Sequence, residues 1–268
     1  MGFTEKEILE IIQEIHCIPH LELPLKFDVE KMQAEVRKIS KWYPHVHANY
    51  AKTSQQHMNQ YTIGYSGVSL FEYNAKEDYL TDNYEIYDIQ MDDAIYDYKT
   101  QKIIFPQTPL AKKLPYLSSV IETISLRSSR TRIMKSEPNH SIAWHSHNRG
   151  PWFNDHAIEA IVHVPIITNP KVFHTVRDYR ANEAKFEKGK SSSLESLTQN
   201  PNNFIQNYSE GSCWLFNPWH DHYFHNYGSK DRYTLLAYVR WSHNDTFLRL
   251  VKSALDQYSG PRIKIDFS

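Results

Sequence analysis

From Arg130 onward the apolar residues of this chain change their period. Upstream they recur at helical intervals; downstream they gather into short runs at 131–135, 141–147, 158–167, 171–176, 212–217 and 232–241. Runs of this length, bounded by Pro, Asn, Gly and Ser, read as strands. Six strands at close intervals predict an all-β barrel or sandwich core. An aromatic content of 13%, with 18 Tyr, suits the same assignment.

The segment before the strands reads as support. Thr4 and Glu7 have the spacing of a capping box, and Ile8, Leu9, Ile11, Ile12 and Ile15 follow as a helical stripe. Leu23-Pro24-Leu25 breaks that pattern. A second helix is predicted after Asp28, with Val29, Met32, Val36 and Ile39 on one face, ending near Pro44. Residues 61–65 and 68–70 read as two short strands around a Ser66-Gly67 turn, and the acidic, tyrosine-rich 74–104 stretch as a long surface connection. A third helix begins at Thr108-Pro109, buries Leu114, Leu117, Val120, Ile121 and Ile124, and is split by Pro115. The polar 180–208 insertion is predicted to be mobile, closing over the mouth of the core or connecting along the surface. A last helix over 245–258 buries Phe247, Leu248, Val251 and Leu255.

The 268 residues are 40% hydrophobic and 23% charged, enough to bury a full core as one domain over 1–268. Its parts are N-terminal support over 1–128, a barrel core over 129–242, and a C-terminal helix and tail over 243–268. A net charge of −1 leaves no electrostatic footprint for nucleic acid or an anionic membrane, so neither is expected as a partner. No apolar run reaches the roughly 18 residues of a membrane span. The N-terminus alternates charged with apolar residues and has no signal-peptide core, and Lys6 stands where a myristoylation signal needs Ser or Thr. Cys17 and Cys213 are too few for a disulfide framework. These features predict a cytoplasmic protein.

With 15 histidines in the chain, only spacing can single out a functional one. His145 and His147 sit two apart in a strand-like run, which puts both on one face, with Ile142 and Trp144 opposite. His163 lies inside an apolar run, where a hydrogen-bonded core residue is the simpler reading. His220, His222 and His225 crowd one turn, and their chemistry alone does not choose among them. Arg232 opens a strand ten positions after His222. A histidine and an arginine at facing ends of paired strands can bring a metal ligand and a carboxylate clamp into one cavity.

The C-terminal half resembles the aspartyl/asparaginyl β-hydroxylase family and the related bacterial proline hydroxylases. Three blocks carry the resemblance. Pro138-Asn139-His140-Ser141-Ile142-Ala143-Trp144-His145 is similar to the segment that leads into the family's first iron ligand. His163-Val164-Pro165-Ile166-Ile167-Thr168-Asn169-Pro170 is similar to its internal histidine block. Gly211, followed eleven residues later by His222 and then by Asn226, Gly228 and Arg232, is similar to the distal block. The 23–28 and 65–70 stretches match the family's N-terminal pattern more loosely.

The resemblance implies an α+β chain with a mainly β core, a double-stranded β-helix of the jelly-roll, cupin-like kind, flanked by N-terminal helices and one C-terminal helix. It implies an Fe(II)- and 2-oxoglutarate-dependent dioxygenase that hydroxylates an amino acid or an amino-acid side chain in a peptide. It further implies that His145 and His222 bind iron, that Arg232 pairs with the distal carboxylate of 2-oxoglutarate, and that His163 helps hold that cosubstrate. Two positions depart from the pattern: His147 stands where many such oxygenases have an acidic ligand, and Ile161 where an arginine is common. Strand parity makes His147 a candidate third ligand. Arg149 and Trp152, between the first two blocks, read as surface residues. Two other functions compete: a three-histidine cupin-like metal dioxygenase that uses no 2-oxoglutarate, which His147 favours and Arg232 opposes, and a non-catalytic barrel that only binds.

Overall fold

The computed structural model describes residues 2–44, 64–71, 107–124, 131–145, 159–177, 193–216, 218, 220–240 and 245–265. Helix α1 (Glu5–His16) starts at the Thr4/Glu7 capping box and buries Ile11, Ile12 and Ile15. Helix α2 (Val29–Val36) starts where the Asp28 side chain accepts from Lys31 N at 3.1 Å. It stops well short of Pro44, because the chain leaves the helix to form strand β2 (Tyr43–Pro44) against Gly67 and Ser66. Helix α3 (Pro115–Thr123) has Pro115 at its first turn, after a short 3-10 turn at Ala111–Lys113, so proline does divide this segment. No side chain at Leu114 caps α3. The buried Glu35 carboxylate of α2 does so from outside, accepting from Tyr116 N at 2.9 Å and Leu117 N at 2.8 Å.

Three expectations about the N-terminal half change. Leu23-Pro24-Leu25 does not break the chain: it lies in strand β1 (His20–Lys26), which among the described residues pairs with β9 alone. An edge strand tolerates a residue without an N–H, and the register shifts between Leu23 and Lys26, around the proline. Ser66-Gly67 is not a turn either. Strand β3 (Tyr65–Phe71) runs straight through it, and a Cβ on Gly67 would lie 2.6 Å from Met134 Sδ and 2.8 Å from Ile133 O. Glycine is there for close approach of two strands, not for a bend. The 61–63 and 74–104 segments lie outside the described residues.

The strand-like C-terminal half folds as its period predicts, with β4 (Thr131–Ser136), β5 (Ser141–His145), β6 (Glu159–Ile167), β7 (Val172–Arg177), β8 (Asn203–Gln206), β9 (Ser212–Phe216), β10 (Asp221–Asn226) and β11 (Arg232–Arg240). Two of these were not foreseen. β8 and the preceding helix α4 (Leu194–Gln199) occupy the polar insertion, where Leu197 and Tyr208 are buried. The 193–208 part of the insertion is therefore built into the fold, contrary to the mobile segment expected. β10 has every residue buried, because it lies between β5 and β7 with both faces covered, so it shows no alternation.

A seven-stranded sheet runs β1-β9-β6-β11-β4-β3-β2 and a four-stranded sheet β5-β10-β7-β8, all neighbours antiparallel. From β4 to β11 the chain passes back and forth between the two sheets, which makes the core a double-stranded β-helix of two facing sheets rather than a closed barrel. The largest apolar cluster is outside this sandwich. Ile133, Val162, Val164, Ile166, Leu215, Leu235 and Ala237 on the outer face of the large sheet pack with residues of α1, α2, α3 and α5 (Asp245–Asp256). Among the described residues no helix is long and apolar enough to cross a membrane.

Two buried devices tie the strand ends together. Gly211, at φ 74, donates to Pro165 O and accepts from Phe27 N, and a Cβ there would meet Phe27 O at 2.6 Å. Asn226 is fully buried; its Nδ2 faces the carbonyls of Ser136, Glu137 and Lys230 at 2.9–3.2 Å, and its Oδ1 accepts from Gly228 N and Asn169 Nδ2. The carboxylate of Asn226→Asp would turn a donor into an acceptor facing three carbonyls. That substitution is expected to cost about 3 kcal/mol or more of unfolding free energy. A denaturant titration that finds only the ~0.5 kcal/mol of a surface change would refute this role.

Candidate functional site

The alternation of β11 puts Arg232 and Leu236 on the side facing the small sheet, and Leu235 and Ala237 on the helix-covered side. Arg232 is 2% exposed. Its Nη2 donates to His174 Nε2 at 3.1 Å, and its guanidinium carbon lies 4.8 Å from the Phe224 ring centroid. Its Nε has no hydrogen-bond partner, and among the described residues no carboxylate pairs with it. Burial lowers its pKa to about 10, with Tyr65 and Tyr208 opposing the shift, so it stays charged at neutral pH. A buried cation without a counter-ion is costly, and the cheapest relief is an anionic ligand.

The wall beside Arg232 is an aromatic stack. Trp214, Tyr208 and His174 lie face to face, with ring centroids 4.7 Å and 4.2 Å apart. The His20 Nε2 N–H donates to Phe204 O at 3.0 Å, since a carbonyl only accepts. His20 Nδ1 therefore accepts from the Tyr208 hydroxyl at 2.7 Å. His163 meets His174 edge-on at 4.8 Å, and its buried Nδ1 has no partner. Burial holds all three histidines neutral: His20 is lowered to about 4, and His163 and His174 well below the ordinary imidazole value, the latter two aided by the Arg232 charge. Burial likewise pushes the Tyr208 phenol well above its ordinary value.

Strands β5 and β10 pair the backbones of two separate sequence blocks. His222 and His145 are direct partners across the pair, and Phe224 pairs with Ile142. Two residues on β10 thus span three on β5, which is a β-bulge. The bulge separates two side chains expected on one face. Ile142 packs with the cluster between the sheets, whereas Trp144 packs with Tyr223 and Leu197 on the far side of the small sheet. His222 is buried; its Nδ1 donates to His220 O at 2.9 Å, which leaves the lone pair on Nε2. His220 instead donates to His16 O at 2.9 Å, and His225 is stacked on Tyr227 and bonded to Tyr223.

Arg232 and His163 thus share one interior cluster, which Phe216 joins to His222 at a ring separation of 4.7 Å. His145 stands opposite His222 by register. His147, Arg149 and Trp152 lie outside the described residues, and among those residues no three His, Cys, Asp or Glu side chains converge as a metal site. Three members of the cluster escaped the sequence reading. His174 had a signal, since it shares its face of β7 with Val172 and Val176; His20 and Tyr208 had none.

No family model matches the chain, and no curated protein matches it. Among solved structures it is similar to a Pseudomonas putida prolyl-4-hydroxylase, with 8% identity and a TM-score of 0.42 over 87% of this chain and 98% of that one. It is also similar to HygX from Streptomyces hygroscopicus with nickel, 2-oxoglutarate and hygromycin B bound, with 11% identity and a TM-score of 0.44 over 88% of this chain and 86% of that one. A cupin domain from Bordetella pertussis matches 42% of this chain and 80% of its own, at 11% identity and a TM-score of 0.25. Overlaps this loose carry no residue correspondence; the fold assignment rests on the strand order.

His20 makes acid sensitivity a measurable property of this cluster. Its folded pKa, about 4, lies below the unfolded value of about 6.5, so between those pH values the unfolded chain binds more protons. Stability is then expected to fall as pH drops through that window. In melting curves from pH 7.5 to 4.5, His20→Gln should show a shallower loss than the parent; equal slopes would mean His20 is not buried neutral.

Proposed function

We propose that this protein is an Fe(II)- and 2-oxoglutarate-dependent oxygenase that hydroxylates an amino acid or an amino-acid side chain in a peptide, in the cytoplasm. The observation that carries the reading is Arg232, a buried guanidinium with a neutral acceptor on one side and no carboxylate among the described residues. A dicarboxylate supplies the missing charge, and a guanidinium can take it in bidentate fashion. The motif resemblance to the aspartyl/asparaginyl β-hydroxylases points to the same chemistry.

The donor types of the candidate residues suit the two groups. His145 and His222 would hold the iron, with His147 as the third ligand, an imidazole set that iron accepts. Arg232 would hold the distal carboxylate of 2-oxoglutarate, flanked by His163. Iron and the keto acid together would supply dioxygen activation and the oxidising equivalents. The chain's own share is orientation and exclusion. The His220 carbonyl fixes the tautomer of His222, so that Nε2 presents a lone pair. Phe216, Phe224 and Trp214 line the site with rings that keep water from its charges.

Arg232→Lys keeps the charge but loses the fork. It is expected to weaken 2-oxoglutarate roughly 10- to 100-fold, the scale of a lost charge-assisted hydrogen bond, while leaving Fe(II) affinity within about threefold. Anaerobic titrations of both ligands decide: equal loss of both, or of neither, counts against the assignment. For the third ligand, His147→Ala should bind Fe(II) more weakly than the parent and His147→Asp should recover much of the loss. An alanine variant that binds iron like the parent removes His147 from the metal site.

A further inference from the structure

Arg232 has only N–H groups to offer, so His174 Nε2, 3.1 Å from Nη2, is an acceptor and Nδ1 carries the ring proton. His174 is itself immobilised. Its ring is stacked on Tyr208 at 4.2 Å and 16°, and is flanked by His163 at 4.8 Å and Phe224 at 5.0 Å. Tyr208 in turn is pinned through its hydroxyl to His20 and by its ring to Trp214 at 4.7 Å. The clamp therefore starts on β1, outside the β4–β11 winding, and ends on the guanidinium.

We propose that His174 is a positioning residue for the keto-acid site: a neutral acceptor, clamped by Tyr208 and His20, that aims Arg232 without cancelling its charge. The inference rests on the reading of Arg232 as a dicarboxylate anchor. Its physical content is the choice of acceptor. A carboxylate on β7 would orient Arg232 equally well, but would occupy its anion site from within the protein and neutralise the charge the ligand needs. A hydrocarbon there would leave a second buried N–H of the guanidinium without a partner and its direction unset. Histidine alone of these keeps both the direction and the charge. Electrostatics agree, since burial, with the Arg232 charge beside it, keeps His174 unprotonated.

The test is calorimetric titration of 2-oxoglutarate into the full-length protein supplied with Mn(II), for the parent, His174→Gln, His174→Phe, His174→Glu, Arg232→Met and the Phe/Met double variant. Gln retains an acceptor and should bind within about threefold of the parent; Phe should lose about tenfold or more. Glu should abolish detectable binding while melting no lower than Phe, because it pairs internally with Arg232. The double variant should bind no worse than Arg232→Met alone, since His174 acts through that arginine. A Phe variant as tight as the parent overturns the inference, as does a Phe loss that adds in full to the Arg232→Met loss, or a Glu variant that binds like Gln. A parent that takes up no 2-oxoglutarate overturns the functional reading and the inference together; a parent that binds, with a Phe variant unchanged, overturns the inference alone.

Discussion

A guanidinium buried between two sheets, with no carboxylate partner among the described residues, is the constraint around which this molecule is arranged. Arg232 is 2% exposed and still charged, and its guanidinium donates to a neutral imidazole. Such a charge is tolerated only where the rest of the fold supplies ample stability, because its desolvation is uncompensated. Beyond His174, His20 is paired with Tyr208, and His222 with the His220 carbonyl.

That stability comes from the opposite face of the large sheet. Its outer residues and four helices form the principal apolar cluster, so the space between the sheets is free to hold histidine, arginine and tyrosine. The helices are fixed by local chemistry as well as by packing: a capping box on α1, Asp28 on α2, and the Glu35 carboxylate reaching from α2 to the start of α3. At the other end, the Asn226 amide nitrogen faces three carbonyls and locks the β10–β11 turn to the end of β4. Rigid strands bounded this way give a site geometry that loops alone do not.

The β5 bulge shows how a small irregularity serves the same end. In a regular strand Ile142 and Trp144 would share a face. The extra residue sends Trp144 to the far side of the small sheet, against Tyr223, and aligns His145 with His222 in the register. Bulges of this kind commonly re-aim a side chain beside a site.

Much of the architecture was legible in the sequence, because the dominant signals are local. The change of period at Arg130 marked the β core, Thr4 with Glu7 marked the start of α1, and Pro115 divided the third helical segment where it was expected to. The spacing from Gly211 to Arg232 also had a local cause, since β9, β10 and β11 follow one another there. What failed depended on neighbours distant in sequence. Pro24 is acceptable in β1 only because that strand lies at a sheet edge, and Gly67 extends β3 only because Met134 needs the room. β10 shows no alternation because both its faces are covered. The sequence by itself determined the β-rich core and its helical supports, and it singled out Arg232, His163 and His222 as candidates. Only the tertiary structure decided that His174 accepts from Arg232, that Tyr208 and His20 clamp it, and that a bulge aligns His145 with His222. Contacts between residues up to 188 positions apart leave no period in a sequence, and pairing alone sets them.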